Sequence, residues 1–254
     1  VAPASTDARE PSLAARAKAL WALRTDAGGL SDAIAAFHEA AEAAPEQPAR
    51  WAALAEAHHF AAMNAALARD VELVVRHHAL GLAAAERGLS ATNAGDGVEL
   101  AEVTRERAPA LYWLARHRLG AARQSGFGHR IVQRPRAIAE LERCHALDPS
   151  IDHGGPDRVL GSLRARPLSP ALRALAVARE HFERAIAAAP DYLPTRLAFA
   201  RDYAVVAQDR GVFERELSAV LEADPAKVQA MEPENRIAQA QARRLLSRAG
   251  ELFE

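Results

Sequence analysis

A chain of 254 residues with a formal net charge of −1 exerts no global pull toward nucleic acid or an anionic membrane surface. Its one cysteine, Cys144, excludes an intramolecular disulfide and any cysteine-pair metal motif, and no run approaches the roughly 18 apolar residues needed to span a bilayer. Half of the residues are apolar while aromatics make up only 5%, a balance that favours helices packed closely through alanine.

Residues 1–11 are small, polar and proline-containing, the composition of a disordered lead-in. From Ser12 the pattern predicts a helix through Leu20, Trp21 and Leu23 to about Thr25, a turn at Gly28–Gly29, and a second helix capped by Ser31 or Asp32. In that helix Ala33, Phe37, Ala40 and Pro45 stand at offsets 0, 4, 7 and 12. The same offsets recur at Ala137, Leu141, Cys144 and Pro149, then at Ala178, Phe182, Ala185 and Pro190, then at Phe213, Leu217, Val220 and Pro225. This is the second-helix signature of a tetratricopeptide repeat, whose period is about 34 residues.

The first helices of the repeats fall between these anchors. Pro48 opens one with Trp51, Leu54 and Ala55 at the packing positions, and a long partner spans about Val71–Leu89 with Gly81 and Gly88 as small contact residues. Asn93, Gly95 and Gly97 end that partner, and Val98–Arg107 is a short helical piece. Pro109 starts the next first helix through Tyr112, Trp113, Leu114 and Ala115 to about Gln124. Gly126, Gly128 and Pro135 bracket what reads as an inserted loop, of the kind that marks a binding edge in repeat proteins. A short helix with Val159, Leu160 and Gly161 follows His153–Gly154–Gly155–Pro156, its partner covers about Ala171–Ala188, Leu193–Asp224 forms the last repeat, and Pro233–Arg248 caps the stack. The expected fold is all-α: a single right-handed superhelical repeat domain over residues 12–254, with about five helix pairs and a C-terminal capping helix.

Chemistry-bearing patterns are sparse. Ten histidines are present, with His58–His59 and His77–His78 adjacent on helices, but neighbouring helical residues diverge by about 100°. At most one histidine of each pair can join a metal site, no His-Glu-x-x-His helix exists, and solvated or packed histidines are the reading, so neither metal nor cofactor is assigned. Gly126–Phe127–Gly128 lacks the third glycine and preceding strand of a dinucleotide site, and Gly154–Gly155–Pro156 reads as a tight turn. Cys144 at a packing position reads as a buried, inert thiol.

Outward positions of the inner helices are more informative: Glu56 and His59, Tyr112 and Arg116, Arg158 and Ser162, then Arg201. Arg116, Arg158 and Arg201 on successive inner helices would form a stripe of paired donors for a carboxylate or peptide carbonyls, the alternative being solvated charges. Tyr112 and Trp113 point to different sides of one helix, so one can pack while the other meets the groove. The candidate groove is therefore Tyr112, Trp113, Arg116, Arg158, Arg201 and His59.

Several stretches together resemble one family. Ala110–Leu111–Tyr112–Trp113–Leu114–Ala115, Leu147–Asp148–Pro149–Ser150, Gly154–Gly155–Pro156–Asp157–Arg158–Val159–Leu160–Gly161, His181–Phe182 before Pro190–Asp191–Tyr192, and Pro233–Glu234–Asn235 with Ala242 and Leu245–Leu246 are similar to the T component associated with TRAP transporters, the TatT family, from about Leu30 onward. The resemblance implies a non-catalytic periplasmic accessory, often lipid-anchored, that assembles as a homotrimer. Its implied partner is the solute-binding P component, with capture or relay of a small organic ligand. It carries over Tyr112, Trp113, Gly155, Pro156, Arg158 and Gly161, the Gly-Pro residues as structural ones. The rival reading is a generic tetratricopeptide adaptor that holds a peptide in its concave groove. The chain starts at Val1, and a signal peptide or anchor cysteine lost ahead of it would leave no trace.

Overall fold

A computed structural model describes residues 10–90 and 99–253. Of the lead-in expected over 1–11, residues 1–9 lie outside the described residues, as do the turn residues Asn93, Gly95 and Gly97, whereas residues 10 and 11 open the first helix. The protein is all-α, with no strand among the described residues. It divides into two compact units, residues 1–147 and 148–254, where the repeat pattern alone reads as one continuous domain.

The first unit consists of α1 (Glu10–Ala22), α2 (Gly29–Ala43), α3 (Pro48–Leu67), α4 (Val71–Ser90), α5 (Ala108–Gln124) and α6 (Phe127–Leu147). Helices pair consecutively, α1 with α2, α3 with α4 and α5 with α6, and α3 and α4 also pack on α5. The anchor residues Ala33, Phe37, Ala40, Ala137, Leu141 and Cys144 are all buried, as the offsets require. Trp51 closes one junction: its Nε1 donates to the carbonyl of Pro45 at 2.9 Å while Arg87 lies over its ring. Arg118 of α5 joins Glu140 of α6 across a 3.0 Å ion pair.

Two local expectations are corrected. The residue capping α2 is Gly28, in the left-handed region at φ 81°, and neither Ser31 nor Asp32 caps it. A side chain at Gly29 would stand 2.0 Å from the Leu23 carbonyl oxygen, so the chain needs two glycines to turn this tightly. The expected loop between Gly126 and Pro135 is helix: Gly126, at φ 91°, makes the whole turn, and α6 runs unbroken through Pro135. Proline removes one i→i−4 hydrogen bond, but this end of α6 lies at the surface, where water can take the freed carbonyl. Of the short helical piece expected over 98–107, the described residues 99–107 form a 3₁₀ turn at Leu100–Glu102.

The second unit consists of α7 (Ile151–Ala165), α8 (Leu175–Ala188), α9 (Leu193–Ala198) continuing through a π turn at Phe199–Ala204 into α10 (Val205–Ala207), then α11 (Arg210–Glu222), α12 (Glu232–Leu246) and α13 (Ala249–Leu252). Its core gathers Ala178, Phe182, Phe199, Ala200, Tyr203, Phe213, Leu217 and Val220, so the offset anchors again point inward. α8 starts at Leu175 instead of Ala171, where the chain makes a 3₁₀ turn over Pro170–Leu172. Asn235 of α12 is a buried clasp: Oδ1 accepts from Leu193 N at 2.9 Å, and Nδ2 donates to the carbonyls of Asp191 and Pro225.

Candidate functional site

The polar centre of the first unit is built where α3, α4 and α5 meet. His58 and His59 come from the middle of α3, His77 and His78 from α4, and Arg116 and His117 from α5. Divergence along each helix sends the members of each pair to different neighbours. His58 Nδ1 meets His77 Nδ1 at 3.1 Å, whereas His78 Nδ1 meets His117 Nδ1 at 3.2 Å. His59 packs its ring 5.3 Å from Trp113 and 5.7 Å from His117, and its Nε2 accepts from Arg116 Nη2 at 2.6 Å.

Small residues make this junction possible. A Cβ on Gly81 would lie 2.1 Å from the His117 ring, and one on Gly120 would lie 2.2 Å from the His78 ring. Each histidine thus occupies the notch left by a glycine on the opposite helix. The two segments read His-Ala-Leu-Gly at 78–81 and His-Arg-Leu-Gly at 117–120, a repeated pattern that sequence reasoning passed over in favour of the paired histidines.

Protonation in this cluster follows from its burial. His117 Nε2 is 2.9 Å from the Ala55 carbonyl oxygen, which accepts only, so Nε2 bears the hydrogen and Nδ1 keeps its lone pair. His78 Nδ1 is then the donor toward His117. Burial, followed by the Arg116 and Arg123 charges, holds His78 down at about 4. Burial takes His117 to about 3 against the opposing pull of the Ala55 hydrogen bond. Both rings are neutral at pH 7, the state in which imidazole serves as a ligand or hydrogen-bond relay.

Of the sequence-predicted groove residues, His59, Trp113 and Arg116 stand together here, with Tyr112 stacked edge-on against Trp113 at 4.9 Å. Tyr112 is fully buried and Trp113 nearly so, whereas His59 and Arg116 are half-buried and form the accessible edge. Neither aromatic presents an open face, and Trp113 packs on His59 of α3.

The other two predicted residues lie in the second unit and are held by carboxylates. Arg158 is only 6% exposed instead of facing outward. Its Nη2 donates to Asp152 Oδ2 at 2.6 Å, its Nη1 to the carbonyls of Asp152 and His153, and its guanidinium lies over Tyr192. What it holds is a left-handed turn, Asp152–His153–Gly154, with φ values of 47°, 56° and 77°. Gly154 also packs so closely on α8 that a Cβ would come within 3.0 Å of Ala185 Cα. The tight turn expected of the Gly-Gly-Pro stretch thus falls at Asp152–His153–Gly154, with Gly155 and Pro156 in the helix that follows, and Arg158 is its clamp. Arg201 reaches its own neighbour, donating Nε to Asp202 Oδ1 at 2.8 Å and Nη2 to Oδ2 at 2.7 Å, while Ser162 also donates to Asp202. Although burial alone would raise it, these contacts hold the Asp202 carboxyl below its ordinary range. The arginines therefore do not present a uniform stripe of solvated donors.

Among the described residues no helix is long and apolar enough to cross a membrane. The family model for the TRAP transporter T-component matches residues 30–253. None of the curated proteins compared with the chain matches it.

Proposed function

We propose, for a chain that belongs to the TRAP transporter T-component family, that it works on the periplasmic side as the accessory that docks the solute-binding component and assists passage of a small organic ligand. The observation that carries this reading is the family match over residues 30–253, which covers both compact units. The accessory role in a TRAP transport system follows from that membership. Partner, location and ligand are our proposal, as are assembly into a homotrimer and attachment through a lipid anchor.

Two features of the first unit support a binding role. The opening turns of α6 expose Phe127, Ile131 and Val132 at 58%, 50% and 59%, with spacing that puts Phe127 and Ile131 on one face. Exposed apolar side chains grouped this way suit a protein partner. The half-buried edge of His59 and Arg116 supplies a guanidinium donor, the chemistry that holds the carboxylate of an organic acid. We read the role as a non-catalytic one, in line with an accessory transport component.

The test is an affinity capture with the chain as bait in the envelope fraction of its source cell, repeated with Phe127→Glu/Val132→Glu. Recovery of a solute-binding protein, lost in the double variant, supports the reading. Recovery of assembly or chaperone factors alone overturns it in favour of a generic helical-repeat adaptor.

A further inference from the structure

The three histidines at the α3–α4–α5 junction have a geometry that packing alone does not require. His59, His78 and His117 each bring a ring nitrogen to within 4.8 Å of the other two, and among the described residues they are the group of three metal-ligating side chains that does so. Two nitrogens bound at 2.0–2.1 Å to one tetrahedral ion stand about 3.3 Å apart. The His78 and His117 Nδ1 atoms are already 3.2 Å apart.

We propose that His59, His78 and His117 bind a divalent ion of the zinc type, with the fourth position open to water or a ligand carboxylate. Three further observations bear on this. The Nε2 of His117 donates to the Ala55 carbonyl, the outer contact that fixes a ligating histidine's tautomer and aims its other nitrogen. The His117 and His78 rings are seated in the notches left by Gly81 and Gly120, so little side-chain freedom is lost there on binding. His59 is half-buried, which leaves an approach from solvent to an otherwise buried pair.

Protons balance without loss from the site. His78 moves its hydrogen from Nδ1 to Nε2 by exchange with solvent, and its Nδ1 lone pair then meets the metal. Arg116 Nη2 donates to His59 Nε2, so its guanidinium stands beside the site and its charge opposes the cation. It is also placed to pair with an anionic fourth ligand. The metal site stands on these residues and does not depend on the transport reading.

The experiment is zinc titration of tag-free protein against a chromogenic chelator, using zinc chloride alone. One equivalent per chain is expected, together with a rise in Tm on saturation. His59→Ala removes a half-exposed ligand at little risk to folding and should weaken binding at least about tenfold, a loss in the range seen when support for a metal site is removed. Arg116→Gln should tighten it several-fold, an effect that a merely structural role for this cluster does not produce. Absence of a saturable site at micromolar zinc overturns the proposal. Equal affinity in wild type and in a His59→Ala variant shown by circular dichroism to be folded overturns it as well.

Discussion

His78 and His117 face one another Nδ1 to Nδ1 at 3.2 Å, and each ring fills a notch beside the glycine that lies three residues beyond the other histidine. This reciprocal seating of α4 against α5 makes Gly81 and Gly120 part of the cluster as much as the rings. Gly81→Ala and Gly120→Ala should each destabilise the protein by about 1–3 kcal/mol through overpacking, despite alanine's better helix propensity. Gly128→Ala, in exposed helix with no neighbour within 4 Å, should be neutral or stabilising by about 0.5–1 kcal/mol. Denaturant melts of the three variants decide this, and a Gly120→Ala midpoint at or above that of Gly128→Ala would contradict the packing.

The buried histidines give stability a definite pH dependence. Burial, followed by neighbouring His77 and His38, lowers His58 to about 4, a value His78 shares, and His117 is lowest at about 3. Between those values and the ordinary 6.5 the unfolded chain binds more protons than the folded one, so unfolding free energy rises with pH in that window. Their contribution is complete above 6.5 and is lost as pH falls toward 4, by up to about 1.4 kcal/mol per pH unit for each ring. Urea midpoints at pH 7.5, 6 and 5 measure it; a midpoint unchanged between 6 and 5 would show that these rings are not held neutral.

Arg158 clamps the Asp152–His153–Gly154 turn from inside the fold. Arg158→Ala leaves a largely buried carboxylate without its partner and should cost about 3–5 kcal/mol. Arg158→Lys keeps the charge but not the fork that reaches carboxylate and carbonyls together, and should recover only part of that loss. A cost below 1 kcal/mol for alanine in chemical denaturation would return Arg158 to the status of a surface group.

Cys144 is fully buried, with Sγ donating to the Ala108 carbonyl at 3.5 Å. Burial and then the nearby Glu140 carboxylate push its thiol far above the ordinary range. Thiol reagents should therefore label it only through unfolding, at a rate that rises with denaturant and matches loss of helicity. Rapid labelling of the native protein at pH 8 would show that α6 opens locally.

Asn235 accepts from Leu193 N and donates to two carbonyls, so Asn235→Ala strands buried backbone groups at about 1–3 kcal/mol each. Replacement by Asp keeps the acceptor and loses both donations. Both variants should unfold at lower denaturant than wild type, with Asp the milder if the bond to Leu193 dominates.

By itself the sequence determined the helical class, the order of most helices and the buried anchors. Offsets of 0, 4, 7 and 12 are a local property of one helix face, and Ala178, Phe182 and Ala185 are buried because that face has only one apolar side. Membership of the T-component family was legible in Tyr112–Trp113 and the Gly-Gly-Pro stretch. Tertiary structure decided the rest, because it depends on which helices meet. Pro135 reads as a breaker locally, yet α6 passes through it where solvent can replace the lost bond. Arg158 reads as an outward charge by helical phase, yet a left-handed turn upstream folds back over it. His117 reads as one histidine among ten, and only the antiparallel register of α4 against α5 brings it across 39 residues to His78. That register is set by the two glycines, since close approach of backbones is a property of the pair of helices and not of either one.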